Sequence, residues 1–292
     1  MLLSLLLFTY ACSTKQPVQQ GATMESTSQD SVAAKPEPSD LPETESLPST
    51  STEVEVSSET ADKPSPIEPW GKPDTILAKI LTEGFFHSDE VWEDAQTEKW
   101  YGLFQNKNGF YLQQTNLETE RYYDPIIDED ESEKTGWKVS TSNQDTSVVL
   151  ISSTDLIKSR KVEAVTLSKQ EIWPGNKVTF TYKGNPYTLQ ATGKKKRSDA
   201  GSDYYIVSNY KLFLSTIKNG QEVKQLLVES RFFDDAMIYI RFVGDLDGDS
   251  FPDFLIDRSN DYNGSNPSLF LSTPAKNGSL LKMVGTHESV GC

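Results

Sequence analysis

The sequence predicts a mainly β fold of antiparallel sheets, sandwich-like or built as two packed sheets, with one short helix ahead of the sheets and a disordered tether ahead of that. Three observations predict it. Residues 13–69 hold mostly Ser, Thr, Glu, Pro, Gln and Ala, with no aromatic side chain, so they cannot bury enough surface to offset the entropy of ordering. Residues 73–84 carry apolar pairs four apart, opened by Pro73-Asp74 and closed by Gly84, as an amphipathic helix requires. From residue 100 onward, β-branched and aromatic runs alternate with Gly- and Asn-containing turns, three times in hairpin form.

The chain opens with an apolar run at residues 2–8, too short to cross a bilayer, which takes about 20 apolar residues. It is followed by Thr9-Tyr10-Ala11-Cys12, which resembles the lipobox of bacterial lipoprotein signal peptides. Ala11 before the cysteine fits that pattern. Thr9 and Tyr10 depart from it, since they stand where Leu and a small residue are usual, and no Lys or Arg precedes the run. The resemblance implies cleavage before Cys12, lipidation of its thiol, and a mature protein held to a membrane by acyl chains. Residues 1–12 are then a signal peptide, 13–69 a tether and 70–292 a β-rich globular domain, with a sub-boundary near 160 as the alternative to one continuous domain.

The tether holds eleven acids against three lysines, or −8 of the total −15. Self-repulsion would keep such a spacer extended. The overall charge, with pI ≈ 4.6, opposes nucleic acid as a partner, because both polymers are anionic. A mean hydropathy of −0.52 reflects this tail more than a missing core, since 10% of the residues are aromatic. The two cysteines, Cys12 and Cys292, lie almost at the chain ends, which excludes a disulfide framework and a multi-cysteine zinc site. With only His87 and His287, a histidine-rich metal site is excluded too, and each reads as a surface or packing residue.

Within the body, a further helical turn is expected after Ser88. The hairpins pair 100–104 with 110–114, 177–182 with 187–191, and 211–217 with 223–229. Further strands are expected at 147–152, 162–167, 238–243, 254–257 and 269–272. Trp173-Pro174-Gly175 reads as a turn with an anchoring aromatic. The basic run Lys194 to Arg197 reads as a solvated loop tip, and the acidic run Asp128 to Glu131 as a solvated loop.

One segment carries recognisable chemistry. Asp245, Asp247, Asp249 and Asp253 occupy positions one, three, five and nine of a loop, and Phe251, at seven, offers its backbone carbonyl. That spacing wraps oxygens around a hard cation, and Gly248 supplies the freedom to turn between ligands. Four carboxylates in nine residues repel by about 1–4 kcal/mol per close pair, and no Lys or Arg lies between residues 245 and 257 to offset this. Calcium accepts an all-oxygen cage more readily than magnesium, which retains waters. Ser250 and Ile256 depart from the EF-hand pattern, which has glycine and an acid at those places, and the flanks are strand-like.

The segment 244–257 resembles the Asp-x-Asp-Gly-Asp-x-x-x-Asp loop of FG-GAP and related extracellular β repeats, which implies a structural calcium ion. Residues 242–292, with Asn260-Asp261-Tyr262-Asn263, resemble the C-terminal part of uncharacterised lipoproteins from Bacteroidota-type bacteria. That resemblance implies the cell envelope, at the outer membrane or the periplasmic face. The expected function is a membrane-anchored, non-catalytic binding or structural module with one structural calcium, facing a protein or polysaccharide of the envelope. The alternative is a calcium-dependent glycan-acting hydrolase using Asp234, Asp235 or Asp257.

Overall fold

The computed structural model describes residues 75–198 and 204–291, all within one unit, Asp62–Cys292. The leader with Cys12, the tether 13–69 and Cys292 lie outside the described residues. Where a helix is expected over 73–84, the described part holds none. Instead β1 (Ile80–Leu81) and β2 (Gly84–Phe86) are extended. Ile80 and Leu81 pair with Ile151 and Leu150 and are fully buried on opposite faces, so sheet pairing overrides the local helical spacing. Residues 88–99 form only turns, closed by bonds such as Ala95 N–H to Trp92 O at 2.9 Å.

The strands that follow are β3 (Trp100–Asn106), β4 (Gly109–Thr115), β5 (Leu117–Tyr122), β6 (Gly136–Thr141), β7 (Thr146–Ser152) and β8 (Arg160–Val162). They build a five-stranded sheet, β1-β7-β3-β4-β8, and a three-stranded sheet, β2-β6-β5. Next come β9 (Lys177–Tyr182), β10 (Asn185–Arg197), β11 (Tyr205–Lys218) and β12 (Gln221–Phe233), a meander of neighbours in chain order. Its β11–β12 turn places Asn219 and Gly220 at φ 51 and 76, the left-handed pair that matches strand twist in a two-residue hairpin. Then β13 (Tyr239–Gly244), β14 (Asp253–Asp257), β15 (Gly264–Ser265), β16 (Pro267–Leu271), β17 (Lys282–Thr286) and β18 (Ser289–Val290) form the sheet β13-β14-β16-β17 and the ribbon β15-β18. Every strand pair is antiparallel, as the hairpins predict.

Among the described residues the two packed sheets of the expectation become four sheets of three or more strands and a two-stranded ribbon. On β14 and β16, Phe254, Ile256 and Phe270 join Phe180, Leu189 and Tyr210 of the meander. Leu255, Leu269 and Leu271, one residue out of phase, join Leu103, Leu112, Val149 and Ile151 of the five-stranded sheet. Alternate side chains therefore enter different cores, which is why residues 254–256 and 269–271 read as unbroken apolar runs. The other face of the five-stranded sheet, through Trp100 and Leu150, packs on Phe86 and Val139 of the three-stranded sheet. The cluster between the two larger layers draws side chains from both sides of residue 160, while the other two clusters lie wholly before it and wholly after it.

Two charged runs differ from expectation. Lys194 to Arg197 continue strand β10, with the Lys195 ammonium 4.1 Å from the Trp173 ring centre and 3.8 Å from that of Tyr205. Trp173 itself closes a turn, receiving Asn176 N–H on its carbonyl, so the aromatic anchor of the sequence reading is also a cation platform. Of the acidic run, Asp128 is buried and closes the loop by accepting Asp124 N–H at 2.8 Å and Thr135 N–H at 3.0 Å, while Glu129, Asp130 and Glu131 are exposed. The same loop supplies Asp124, buried, whose Oδ2 lies 2.5 Å from His87 Nδ1.

That bond raises the His87 pKa from its ordinary 6.5, against burial, and Asp124 is lowered because His87 and nearby N–H groups outweigh its desolvation. The raised histidine contributes stability that is complete below the unfolded value and lost as pH rises through the folded one. The lowered aspartate contributes stability that is lost only as pH falls below its ordinary 3.8. His87→Gln should therefore melt below the parent at about pH 6, with the difference shrinking toward about pH 9. His287, whose pKa burial lowers, titrates in both proteins and cancels. A difference constant across that range, followed by circular dichroism, would show that the pair carries no charge.

Candidate metal centre

Gly244, the last residue of β13, pairs with Asp253, the first of β14, so residues 245–252 form a loop pinned at its base. Leu246, with no exposed surface, plugs it into the core beneath. Its neighbours Asp245 and Asp247 and the strand residue Asp253 each direct a carboxylate oxygen to a common region, these oxygens lying within 4.8 Å of one another. The backbone organises them. Asp253 Oδ2 accepts Leu246 N–H at 2.7 Å and Asp247 N–H at 3.1 Å, and Asp245 accepts Gly248 N–H at 2.5 Å and Ser250 N–H at 3.1 Å. Gly248 sits at φ +90, as the turn requires, and a Cβ built there would fall on the Arg160 guanidinium. Gly248→Ala should cost roughly 1–3 kcal/mol in urea denaturation. A neutral result would mean that the loop relaxes without its left-handed turn.

The remaining sequence candidates behave differently. Asp249 stands outside the converging trio: its Oδ1 accepts Phe251 N–H at 2.8 Å, and its Oδ2 lies 2.8 Å from Ser272 Oγ. Since Ser272 Oγ also lies 3.1 Å from Asp253 Oδ1, a single hydroxyl links Asp249 to the trio. Phe251 carries its ring outward, 39% exposed, with the Lys218 ammonium 5.1 Å from the ring centre. Asp257 is not near the loop. It ends β14 at the far end from Asp253, roughly 13 Å away for four steps of extended chain. There Arg241 Nη2 donates to its Oδ2 at 2.5 Å, while Ser259 and Asn266 N–H groups bond its Oδ1. Residues 257–265 repeat an alternating set of oxygen-bearing side chains, but a guanidinium occupies the first of them.

Four participants had no signal in the sequence. Ser272 N–H bonds Asp253 Oδ1 at 2.8 Å and Thr273 N–H bonds Asp247 Oδ2 at 2.9 Å, both delivered by the pairing of β16 with β14. Arg160 and Lys183 arrive from distant strands, their nitrogens 3.6 and 3.7 Å from the Asp245 oxygens. They offset one carboxylate. Among the described residues no ion pair reaches Asp247, Asp249 or Asp253. Burial, reinforced by the Asp247 charge, raises the Asp253 pKa well above its ordinary value despite three backbone N–H donors. Burial and the Asp249 charge raise Asp247 as well. The donor set is all oxygen, with no Cys or His, which suits a hard divalent cation and disfavours zinc.

No protein-family model, curated protein or solved structure matches this chain.

Proposed function

We propose that this chain is a lipid-anchored, non-catalytic binding or structural module of the bacterial cell envelope in which one calcium ion, held by Asp245, Asp247 and Asp253, fastens the β13–β14 connection. One observation carries the reading: a fully buried carboxylate, Asp253, converges with two others and, among the described residues, has no cationic side chain paired to it. Leaving such a group charged and uncompensated is costly, and a divalent ion at that point removes the repulsion and the desolvation problem together. The ion's role is mechanical. It ties the loop to the first residue of β14, which enters the doubly covered sheet between the two largest cores. The anchor rests on the lipobox-like Cys12, and the tether's composition supplies the spacer.

Elemental analysis of the purified full chain tests the metal. One calcium per chain, released by chelator and missing from Asp247→Ala, is expected; a metal content indistinguishable from that of the variant contradicts it.

A further inference from the structure

We propose that a cleft running from the loop 259–266, past Glu288, to the rings of Trp92 and Trp137 binds a linear, neutral, hydroxyl-rich carbohydrate. Three hollows adjoin one another in turn there, of about 530, 590 and 600 Å³, the last of them shallow. The first two share Glu288 in their walls, and the second and third share Ser88, Asp89 and Arg121, so the three are contiguous. Each lies in the size range of small-ligand sites, and an unbroken row of them suits a chain of repeating units better than one compact ligand.

The walls are of two kinds. Aromatic surface is offered along the row. Tyr262 is 72% exposed at the first hollow, and Trp92 and Trp137 are half-buried at the second. Both indole N–H groups are already bonded, to Ile80 O at 2.8 Å and Ser88 O at 2.9 Å. What remains for a ligand is the part of each ring left uncovered by the core, by Lys79, whose ammonium lies 5.9 Å from the Trp92 ring centre, and by Arg121; on it the apolar C–H side of a sugar ring packs. Arg121 stacks 3.6 Å from the Trp137 ring centre and braces one side of it.

Between the rings stand uncommitted polar groups. Among the described residues, the side chains of Asp234, Asn260, Tyr262 and Glu288 make no hydrogen bond. Yet the backbone that carries them is fixed: Asp234 N–H bonds Asn260 O at 2.7 Å, Tyr262 N–H bonds Asp234 O at 2.9 Å, and Gly291 N–H bonds Asn263 O at 2.5 Å. The β15–β18 ribbon closes the same wall. A rigid frame bearing unspent acceptors and an amide is a preorganised site. Carboxylates only accept and amides both donate and accept, which matches hydroxyl groups that do both. The acids Asp234, Asp261 and Glu288 would repel an anionic polysaccharide, which leaves a neutral one, with a cationic peptide as the competing ligand the test must separate. The cleft shares no residue with the aspartate loop, and this inference stands apart from the metal.

The test uses the full chain and neutral hexasaccharides of glucose, mannose, xylose and N-acetylglucosamine, read by tryptophan fluorescence and calorimetry at up to millimolar ligand, with a lysine-rich decapeptide as competitor class. At least one hexasaccharide should bind. Tyr262→Ala, at an exposed side chain, should weaken it about fivefold without moving the melting temperature, and Asn260→Ala should weaken it too. Three results overturn the proposal: no hexasaccharide bound, saturation by the peptide alone, or affinity unchanged in both variants.

Discussion

Chelator should lower the melting temperature of the full chain by about 5–10 °C, and Asp247→Ala should melt at one temperature with or without it. The size follows from linkage: an ion at 100 times its dissociation constant adds about 2.7 kcal/mol, and a domain of this length shifts about 2–4 °C per kcal/mol. Asp253→Asn separates the ion from the loop's own hydrogen bonds. In calcium the variant should melt below the parent, because a ligand is lost. In chelator the drop should be smaller, since the variant deletes a buried charge that Asp247 repels, while its amide NH2 replaces one of two oxygens that each accept backbone N–H groups. pH gives the same sign. With its folded pKa raised, Asp253 binds its proton more tightly in the native state, so the metal-free protein gains stability as pH falls through that value. An equal drop in calcium and in chelator would show that Asp253 stabilises the loop through its hydrogen bonds alone, without an ion.

Phe254→Ala should cost about 3–5 kcal/mol, a large share of the stability of a typical domain. Phe254 has no exposed surface, pairs with Val243 on one side and Phe270 on the other, and meets the Phe180 ring at 6.1 Å between centres. The ring spans the gap between the meander and the doubly covered sheet, and rigid strands on both sides leave the cavity no way to collapse. Leu255→Ala should cost about 2–5 kcal/mol through the opposite core. Urea denaturation reads both, and a loss below about 1 kcal/mol for Phe254→Ala would contradict a central sheet packed on two faces.

Much of this architecture is legible in the sequence because hairpins are local. The three turns and the period of two on their strands place β3 with β4, β9 with β10 and β11 with β12 without any long-range information. The strand at 177–182 matches β9 residue for residue. What escapes is set by distance along the chain. Strands β5 and β6 are polar on their outer face and joined through a loop of thirteen residues, 123–135, so neither hydrophobicity nor turn chemistry marks them. The spacing at 73–84 satisfies a helix, and only the partner β7, some seventy residues away, makes β1 a strand.

The same division runs through the candidate site. Asp245, Asp247 and Asp253 are visible as a spacing, and the fold brings them together. Arg160, Lys183, Ser272 and Thr273 are invisible because sheet packing, not the loop, delivers them. Asp257 shows the converse. Next to the loop in sequence, it is separated from it by the length of β14 and spent on Arg241.

Calorimetric titration of calcium into chelator-treated full chain asks most directly whether the buried aspartates exist to hold an ion. One site per chain is expected, weakened as pH is lowered and lost in Asp247→Ala. No heat beyond dilution, from protein shown by circular dichroism to be folded, would mean that backbone N–H groups alone make the aspartate cluster tolerable.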